Sequence, residues 1–191
     1  MMFGKNPGAR ETVKRIPKDT VGTELGVWKG DSTAIFLQKA KKIHAVDSWS
    51  PIPYESSTEW GSYENYLERY SEIAGGKTPE DFEKFYERIY LDVCNRFINE
   101  PVQIHRMTTK EYFKKTKANT LDWVYVDASH AYEEVLYDLK QCKRVVKKGG
   151  IIFGDDYSDA KKGVKDAVNS FIEKTGLSLD NFFDDQYMIQ V

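Results

Sequence analysis

Acidic residues lie where three apolar, strand-like segments end. Asp47 closes KIHAVD, Asp127 closes LDWVYVD, and the pair Asp155 and Asp156 follows IIFG. Because parallel strands share a carboxyl edge, we expect these acids to lie close together. Neighbouring carboxylates repel unless a cation neutralises them, and hard oxygen ligands favour Mg²⁺, Mn²⁺ or Ca²⁺. Asp127, Asp155 and Asp156 are therefore predicted as a divalent-metal site, the alternative being acids that bind turn amides.

A histidine follows the second of these acids. His130 lies three residues after Asp127, where the loop DASH enters the next predicted helix. An imidazole with a pKa near neutrality can accept the proton of a hydroxyl group. We therefore predict His130 and Asp127 as catalytic residues, the alternative for His130 being a surface side chain that caps the helix. His44 and His105 fall within predicted strands and are interpreted as structural.

A turn with two glycines, ELGVWKG, points to a nucleoside-containing cofactor. A strand at 21–25 precedes the turn, and a helix at 31–39 follows it. Glycines such as Gly26 and Gly30 let the backbone approach a ligand, and Asp47 can hold the two vicinal hydroxyls of a ribose. The glycine spacing differs from the GxGxxG of nicotinamide-binding proteins, which disfavours an oxidoreductase.

The remaining elements predict an α/β fold in one domain spanning 1–191. Strands alternate with helices, which is typical of a doubly wound, mostly parallel sheet with helices on both faces. The further strands are predicted at 43–46, 102–105, 121–127, 151–157 and 185–191, and the further helices at 109–116, 132–146 and 163–176.

Residues 50–100 interrupt this alternation and are predicted to form a helical insert or lid, with helices at 63–73 and 79–98. The insert is rich in aromatic side chains. Phe82, Phe85 and Tyr90 follow helical spacing, which favours a packing role. Tyr54 and Trp60 lie in the preceding loop, where a substrate or lid role and a packing role are equally compatible with the sequence.

The composition of the chain limits the kinds of molecule that we expect it to bind. The 28 lysine and arginine residues against 30 acidic ones give a net charge of −2, so we expect no nucleic-acid partner. Neither an apolar run of membrane-spanning length nor the apolar core of a secretion signal is visible, so we expect a cytoplasmic protein without a membrane partner. Cys94 and Cys142 are predicted to be free thiols. Exposed aromatic residues of the insert could form a homodimer contact.

Five segments, in this order, resemble class I S-adenosylmethionine-dependent methyltransferases. They are TELGVWKGDST, HAVDSW, LDWVYVDASHAYEEVLYDL, VVKKGGIIFGDDY and GVKDAVNSF. The most similar branch includes macrolide-sugar O-methyltransferases and cephalosporin-hydroxylase-like proteins. The resemblance implies a Rossmann-like sheet with the insert after strand two, and S-adenosyl-L-methionine as cofactor.

The resemblance also implies roles for individual residues. It places Asp127, Asp155 and Asp156 as ligands of Mg²⁺ or another divalent cation, and His130 as general base. It implies that the cofactor is bound by Glu24, Gly26, Trp28, Gly30, Ser32, Asp47, Ser48, Trp49, Met107, Thr108 and Asp127. Many relatives carry an acid after strand three, where this chain has HRMTT, and HDY where this chain has DDY.

The activity implied is metal-dependent O-methylation of a hydroxylated small molecule, such as a sugar or glycoside. Two alternatives stay open at this point. One is a metal-independent N-methyltransferase, and the other is a module that binds S-adenosylmethionine without turnover.

Overall fold

One twisted sheet organises the chain. The computed structural model describes residues 6–56 and 59–191. Within these ranges, seven strands form a sheet in the order β3-β2-β1-β4-β5-β7-β6. Strands β1 to β5 are parallel, and β7 runs antiparallel to both of its neighbours. The strands are β1 (Thr20–Leu25), β2 (Ala40–Asp47), β3 (Val102–Arg106), β4 (Leu121–Val126), β5 (Val146–Gly154), β6 (Leu179–Phe183) and β7 (Gln186–Gln190).

Helices cover both faces of the sheet, as predicted for a doubly wound fold. They are α1 (Pro7–Arg15), α2 (Asp31–Phe36), α3 (Tyr63–Ala74), α4 (Pro79–Arg96), α5 (Thr109–Lys115), α6 (Tyr132–Val145) and α7 (Lys162–Thr175). Short 3₁₀ turns lie at Ile52–Glu55 and Asp159–Lys161. None of the helices in the described ranges combines the length and the apolar character that crossing a membrane requires.

Strand β4 shows why both faces are buried. Trp123 and Tyr125 point to the face covered by α1 and α2, where Phe36 packs on both rings. Val124 and Val126 alternate with them and face the opposite core, which α5, α6 and α7 cover. Successive side chains of a strand point to opposite faces, so a strand buried on both sides reads as a continuous apolar run. This explains the apolar run WVYV at 123–126.

The insert helices begin and end at sequence signals. Ser62 caps α3, which ends at Gly75 in the left-handed conformation. Thr78 and Asp81 form a reciprocal capping box at the start of α4, just before Pro79. The predicted helices at 63–73 and 79–98 are therefore confirmed to within two residues at each end. Together with Val27 and Trp49, these helices enclose a third apolar cluster.

Four elements differ from the prediction, and two of them are strands that begin earlier: β2 begins at Ala40 instead of 43, and β5 begins at Val146 instead of 151. The segment 185–191 is the second strand of an antiparallel hairpin, whose first strand, β6, was not predicted. Asp180 and Asn181 are exposed within β6 and weaken its alternating pattern, so pairing with β7 holds that strand in the sheet. Helix α2 ends at Phe36, three residues earlier than predicted. Both cysteines are free, Cys142 being buried and Cys94 half-buried.

Candidate active site

The carboxyl ends of the parallel strands open onto a cavity of about 540 Å³. One wall is formed by the loops that follow β1, β2, β3 and β4, and the other by the aromatic side chains of the insert. The predicted site residues that border the cavity are Gly26, Trp28, Asp47, Ser48, Met107, Thr108, Asp127 and His130. The topology thus brings together residues that lie up to about a hundred positions apart in the sequence.

The Asp47 carboxylate ties the loop after β1 to the end of β2. One oxygen accepts the backbone N–H groups of Val27 at 3.0 Å and Trp28 at 2.9 Å, and the other accepts that of Trp49 at 2.8 Å. Withdrawal from water raises the pKa of this carboxyl, and these hydrogen bonds oppose the rise. Asp47 therefore shapes the loop as well as bordering the cavity with Ser48.

Both glycines of the turn are needed for contacts within the protein. Gly26 has φ +85°, and a Cβ placed there would lie 1.8 Å from the carbonyl oxygen of Asp127. Gly30 has φ +77° at the start of α2, where a Cβ would lie 2.6 Å from the Phe97 ring. The glycines thus let the β1–α2 loop approach the end of β4 and the insert, in addition to any approach to a ligand.

Other residues of the predicted cofactor set lie behind this wall. Glu24 is fully buried and accepts short hydrogen bonds from the hydroxyls of Ser32 and Thr33. Burial raises the pKa of Glu24 to about 7, although these two hydrogen bonds lower it. Trp49 is also fully buried, and its indole N–H donates to the carbonyl of Trp28 at 2.9 Å. In this structure these side chains support the loop from within.

The predicted acid cluster includes the predicted histidine. Asp127, His130 and Asp156 each present one possible ligand atom, and these atoms lie within 4.8 Å of one another. His130 Nε2 lies 2.6 Å from Asp156 Oδ2. Asp155 lies beside the group, and one of its oxygens accepts the backbone N–H of Asp156 at 2.7 Å while the other lies 3.4 Å from the Tyr125 hydroxyl.

Charges within the cluster shift its pKa values in opposite directions. Withdrawal from water raises the pKa of Asp127 well above its usual range, and the neighbouring carboxylates of Asp155 and Asp156 add to the rise. For His130, burial lowers the pKa, but hydrogen bonds to Asp156 and Glu59 outweigh burial and raise it to about 9. Burial would likewise raise the pKa of Asp156, but the bond to His130 lowers it overall.

Glu59 is a site residue that the sequence analysis missed. Its carboxylate reaches from the insert to His130 Nδ1 at 2.6 Å, and only 8% of its side chain is exposed. The imidazole is thus held between a carboxylate of the insert and one of the sheet. Glu59 lies in a polar loop 71 residues before His130, and nothing in its local sequence distinguishes it from a surface acid.

The insert supplies an aromatic wall. Tyr54 stacks on Tyr66 with ring centres 4.1 Å apart, and the hydroxyls of Tyr66 and Tyr86 lie 2.6 Å apart. Trp60 packs edge-on against Tyr70 and lies beneath the Arg69 guanidinium. The cavity-lining aromatic residues are Trp28, Tyr54, Trp60, Tyr66, Tyr70, Phe82, Phe85 and Tyr86. Tyr54 and Trp60 therefore both pack within the insert and border the cavity.

A family comparison gives the enzyme class. The profile of a methyltransferase domain matches residues 23–157, more than half of the chain. The chain belongs to this methyltransferase-domain family. The match runs from β1 to the turn after β5, so it spans the glycine turn, Asp47 and the acid cluster. The protein is an S-adenosylmethionine-dependent methyltransferase. No curated protein matches the chain significantly.

Solved methyltransferase structures share the fold across nearly the whole chain. The O-methyltransferase NovP is 22% identical with a TM-score of 0.58, covering 96% of this chain and 78% of NovP. A protein assigned as an O-methyltransferase from Klebsiella pneumoniae is 12% identical with a TM-score of 0.62, covering 98% and 80%. SMU.1697c from Streptococcus mutans, in complex with S-adenosylhomocysteine, is 13% identical with a TM-score of 0.56, covering 99% and 98%.

These findings confirm the fold and the family that the sequence predicted for this methyltransferase. The mostly parallel seven-stranded sheet and the resemblance to class I S-adenosylmethionine-dependent methyltransferases are both confirmed. The role of each site residue, the metal and the methyl acceptor stay predictions.

Proposed function

We propose that this methyltransferase transfers the methyl group of S-adenosylmethionine to a hydroxyl oxygen of a small molecule, such as a sugar or glycoside, with the help of a divalent cation. One observation carries the proposal. Asp127, His130 and Asp156 converge beside the cavity with their ligand atoms within 4.8 Å of one another. A cluster of this kind suits an oxygen-based reaction, because it can orient and deprotonate a hydroxyl group.

The donor set fits a divalent cation. Within residues 6–56 and 59–191, no group donates a hydrogen bond to the Asp127 carboxylate, although Asp127 is half-buried. A cation there would relieve the desolvation and the carboxylate repulsion that raise its pKa. Carboxylate oxygens suit Mg²⁺ or Mn²⁺, and an imidazole nitrogen also suits heavier divalent ions. Asp127 and Asp156 would hold the cation, with Asp155 as a further ligand.

The cluster residues would then accept the proton of the hydroxyl group and orient the methyl acceptor. A bound divalent cation lowers the pKa of a coordinated hydroxyl group. His130 would accept the proton, and Glu59 fixes the ring through Nδ1. Because two carboxylates raise the pKa of His130 to about 9, His130 accepts a proton at neutral pH only when its bond to Asp156 is weakened. Asp127 would serve as a ligand of the cation, which would offset the desolvation that raises its pKa.

Methyl transfer itself requires mainly alignment. The acceptor oxygen forms a bond to the methyl carbon while the sulfonium–methyl bond breaks, which leaves a methyl ether and S-adenosylhomocysteine. Holding the two reactants in line within a closed cavity is the main contribution that a protein makes to such a step. The loop after β1, clamped by Asp47, and the insert wall provide the two sides of this cavity.

The insert wall favours an acceptor with a ring and several oxygen atoms. Tyrosine and tryptophan faces suit the apolar face of a sugar or a phenol, and their polar atoms suit its hydroxyls. The indole nitrogen of Trp60 is buried with no hydrogen-bond partner in the described part of the chain. Since Trp60 borders the cavity, this N–H is suited to donate to an acceptor oxygen.

The test is methyl transfer with and without divalent cations. The purified protein is incubated with S-adenosylmethionine and a panel of glycosides, catechols and amines, with Mg²⁺ or with EDTA. We expect methyl ethers and S-adenosylhomocysteine by mass spectrometry with Mg²⁺, loss of both in EDTA, and recovery when Mg²⁺ is added back. Undiminished activity in EDTA would remove the cation from the proposal, and transfer to amines alone would replace O-methylation by N-methylation.

A further inference from the structure

A buried acid on α6 lies outside the chemistry described above. Asp138 is 2% exposed and borders the cavity. Burial raises the pKa of this acid, and the side chain of Thr109, at the start of α5, opposes that larger effect by favouring the charged form of Asp138. Its Oδ1 atom is buried and has no hydrogen-bond partner in the described part of the chain. At least one oxygen of this acid therefore lacks a hydrogen bond beside a ligand cavity.

An unpaired buried carboxylate oxygen needs an explanation. Leaving such an atom without a donor destabilises the folded protein, so buried acceptors are nearly always paired. Lys110, the cation whose charge acts on Asp138, lies over the ring of Tyr137 with its nitrogen 6.0 Å from the ring centre. The missing donor is therefore best supplied by a molecule in the cavity.

The surroundings of Asp138 suit a flat heterocycle with a polar edge. Met107, Thr108 and Thr109, after β3, and Ala128, after β4, border the same cavity. Strand β3 is the neighbour of β2, whose terminal acid Asp47 is placed to hold a ribose. A base attached to that ribose therefore has room beyond the end of β3, between the start of α5 and helix α6.

We propose that Asp138 accepts a hydrogen bond from the 6-amino group of the cofactor's adenine and so selects adenine at this site. The proposal deepens the proposed function and rests on its cofactor site. The Oδ1 atom of Asp138 is buried without a partner in the described part of the chain, so it is the oxygen left for the ligand. Burial raises the pKa of Asp138 to about 7, so a carboxyl that also carries a proton could donate to an adjacent ring nitrogen.

The proposal is tested by calorimetry with two ligands on the full chain. The ligands are S-adenosylhomocysteine and its 6-deamino analogue, in which hydrogen replaces the amino group. We expect the parent protein to bind the amino compound roughly tenfold to a hundredfold more tightly, the range for a buried hydrogen bond to a charged group. In Asp138→Leu, which has a similar shape and no acceptor, the two ligands should bind within about twofold of each other.

Two further variants make the outcome decisive. Glu133→Gln removes an acidic charge from the exposed side of the same helix and should keep the parent's preference. Asp138→Asn keeps a neutral carbonyl acceptor, so a preference below that of the parent is expected even where Asp138→Leu does not fold. A parent that binds both ligands equally, or variants at Asp138 that keep the full preference, would overturn the proposal while leaving the cofactor site intact. A parent that binds neither ligand would overturn the cofactor site as well.

Discussion

Replacing Gly26 with alanine should destabilise the protein far more than a usual glycine-to-alanine change. Gly26 has φ +85°, and the new Cβ would lie 1.8 Å from the Asp127 carbonyl oxygen and 2.5 Å from its carbonyl carbon. The left-handed backbone alone costs an L-residue about 1–2 kcal/mol. Relieving an overlap with backbone atoms of a core strand adds about 1–3 kcal/mol. Together these are a large part of the 5–15 kcal/mol typical of a folded domain.

Gly75 provides the matched control for this change. It has φ +83° at the end of α3, and a Cβ placed there meets nothing within 4 Å. Gly75→Ala should therefore show the backbone cost alone. The difference between the two variants measures the contact between the β1–α2 loop and Asp127. The free energy of unfolding is obtained from urea titrations followed by circular dichroism, with slopes compared to confirm two-state behaviour.

The same pair of variants also tests the site. Because the overlap involves the backbone of Asp127, its relief must shift the acid cluster relative to the loop. Gly26→Ala should then weaken S-adenosylhomocysteine binding, measured by calorimetry on folded protein, whereas Gly75→Ala should not. Equal loss of stability in both variants, or unchanged affinity in Gly26→Ala, would refute the argument that the close approach to Asp127 requires glycine at position 26.

Three further predictions concern single side chains. Asp47→Asn should weaken S-adenosylhomocysteine binding at least tenfold, measured by calorimetry. The asparagine lacks the charge and cannot accept all three backbone N–H bonds. The control Asp92→Asn, at an exposed position, should bind S-adenosylhomocysteine as the parent does. His130→Ala should lower turnover roughly 10²–10⁴-fold while keeping cofactor affinity. A fully active variant would exclude His130 as the general base. Because folding raises the pKa of Glu24 from 4.5 to about 7, Glu24 stabilises the protein fully below pH 4.5 and loses that contribution as pH rises to 7. The free energy of unfolding of Glu24→Gln, from urea titrations across this pH range, should not show that loss. If the parent and the variant depend on pH in the same way, the raised pKa of Glu24 is contradicted.

The sequence allowed the sheet to be predicted because each parallel strand is a distinct local signal. A strand buried on both faces is a short apolar run, and each such run here ends at a turn or an acid. Strand β6 carries no such signal. Its residues Asp180 and Asn181 are exposed, and its place in the sheet depends on pairing with β7, which is a contact between segments.

Residues of the candidate site could be predicted from the sequence only where they follow the end of a predicted strand. Asp47, Asp127 and His130 border the cavity because parallel strands share an edge. Glu59 could not be found in this way, since its contact with His130 spans 71 residues. Asp138 did carry a signal, because it lies within the apolar stripe of α6, four residues before Cys142, where a buried acid is unusual.

The loop after β1 links the cofactor wall to the acid cluster. The Gly26 N–H donates to the carbonyl of Val46 at 2.9 Å, and the Asp127 N–H donates to that of Leu25 at 2.9 Å. The loop is thus bonded to β2 on one side and to β4 on the other, and the Asp47 carboxylate holds its next two N–H groups. Because one short backbone segment joins both parts, a ligand that shifts the loop must also shift Asp127. Binding of the cofactor and positioning of the acceptor are therefore expected to respond to the same changes in this loop.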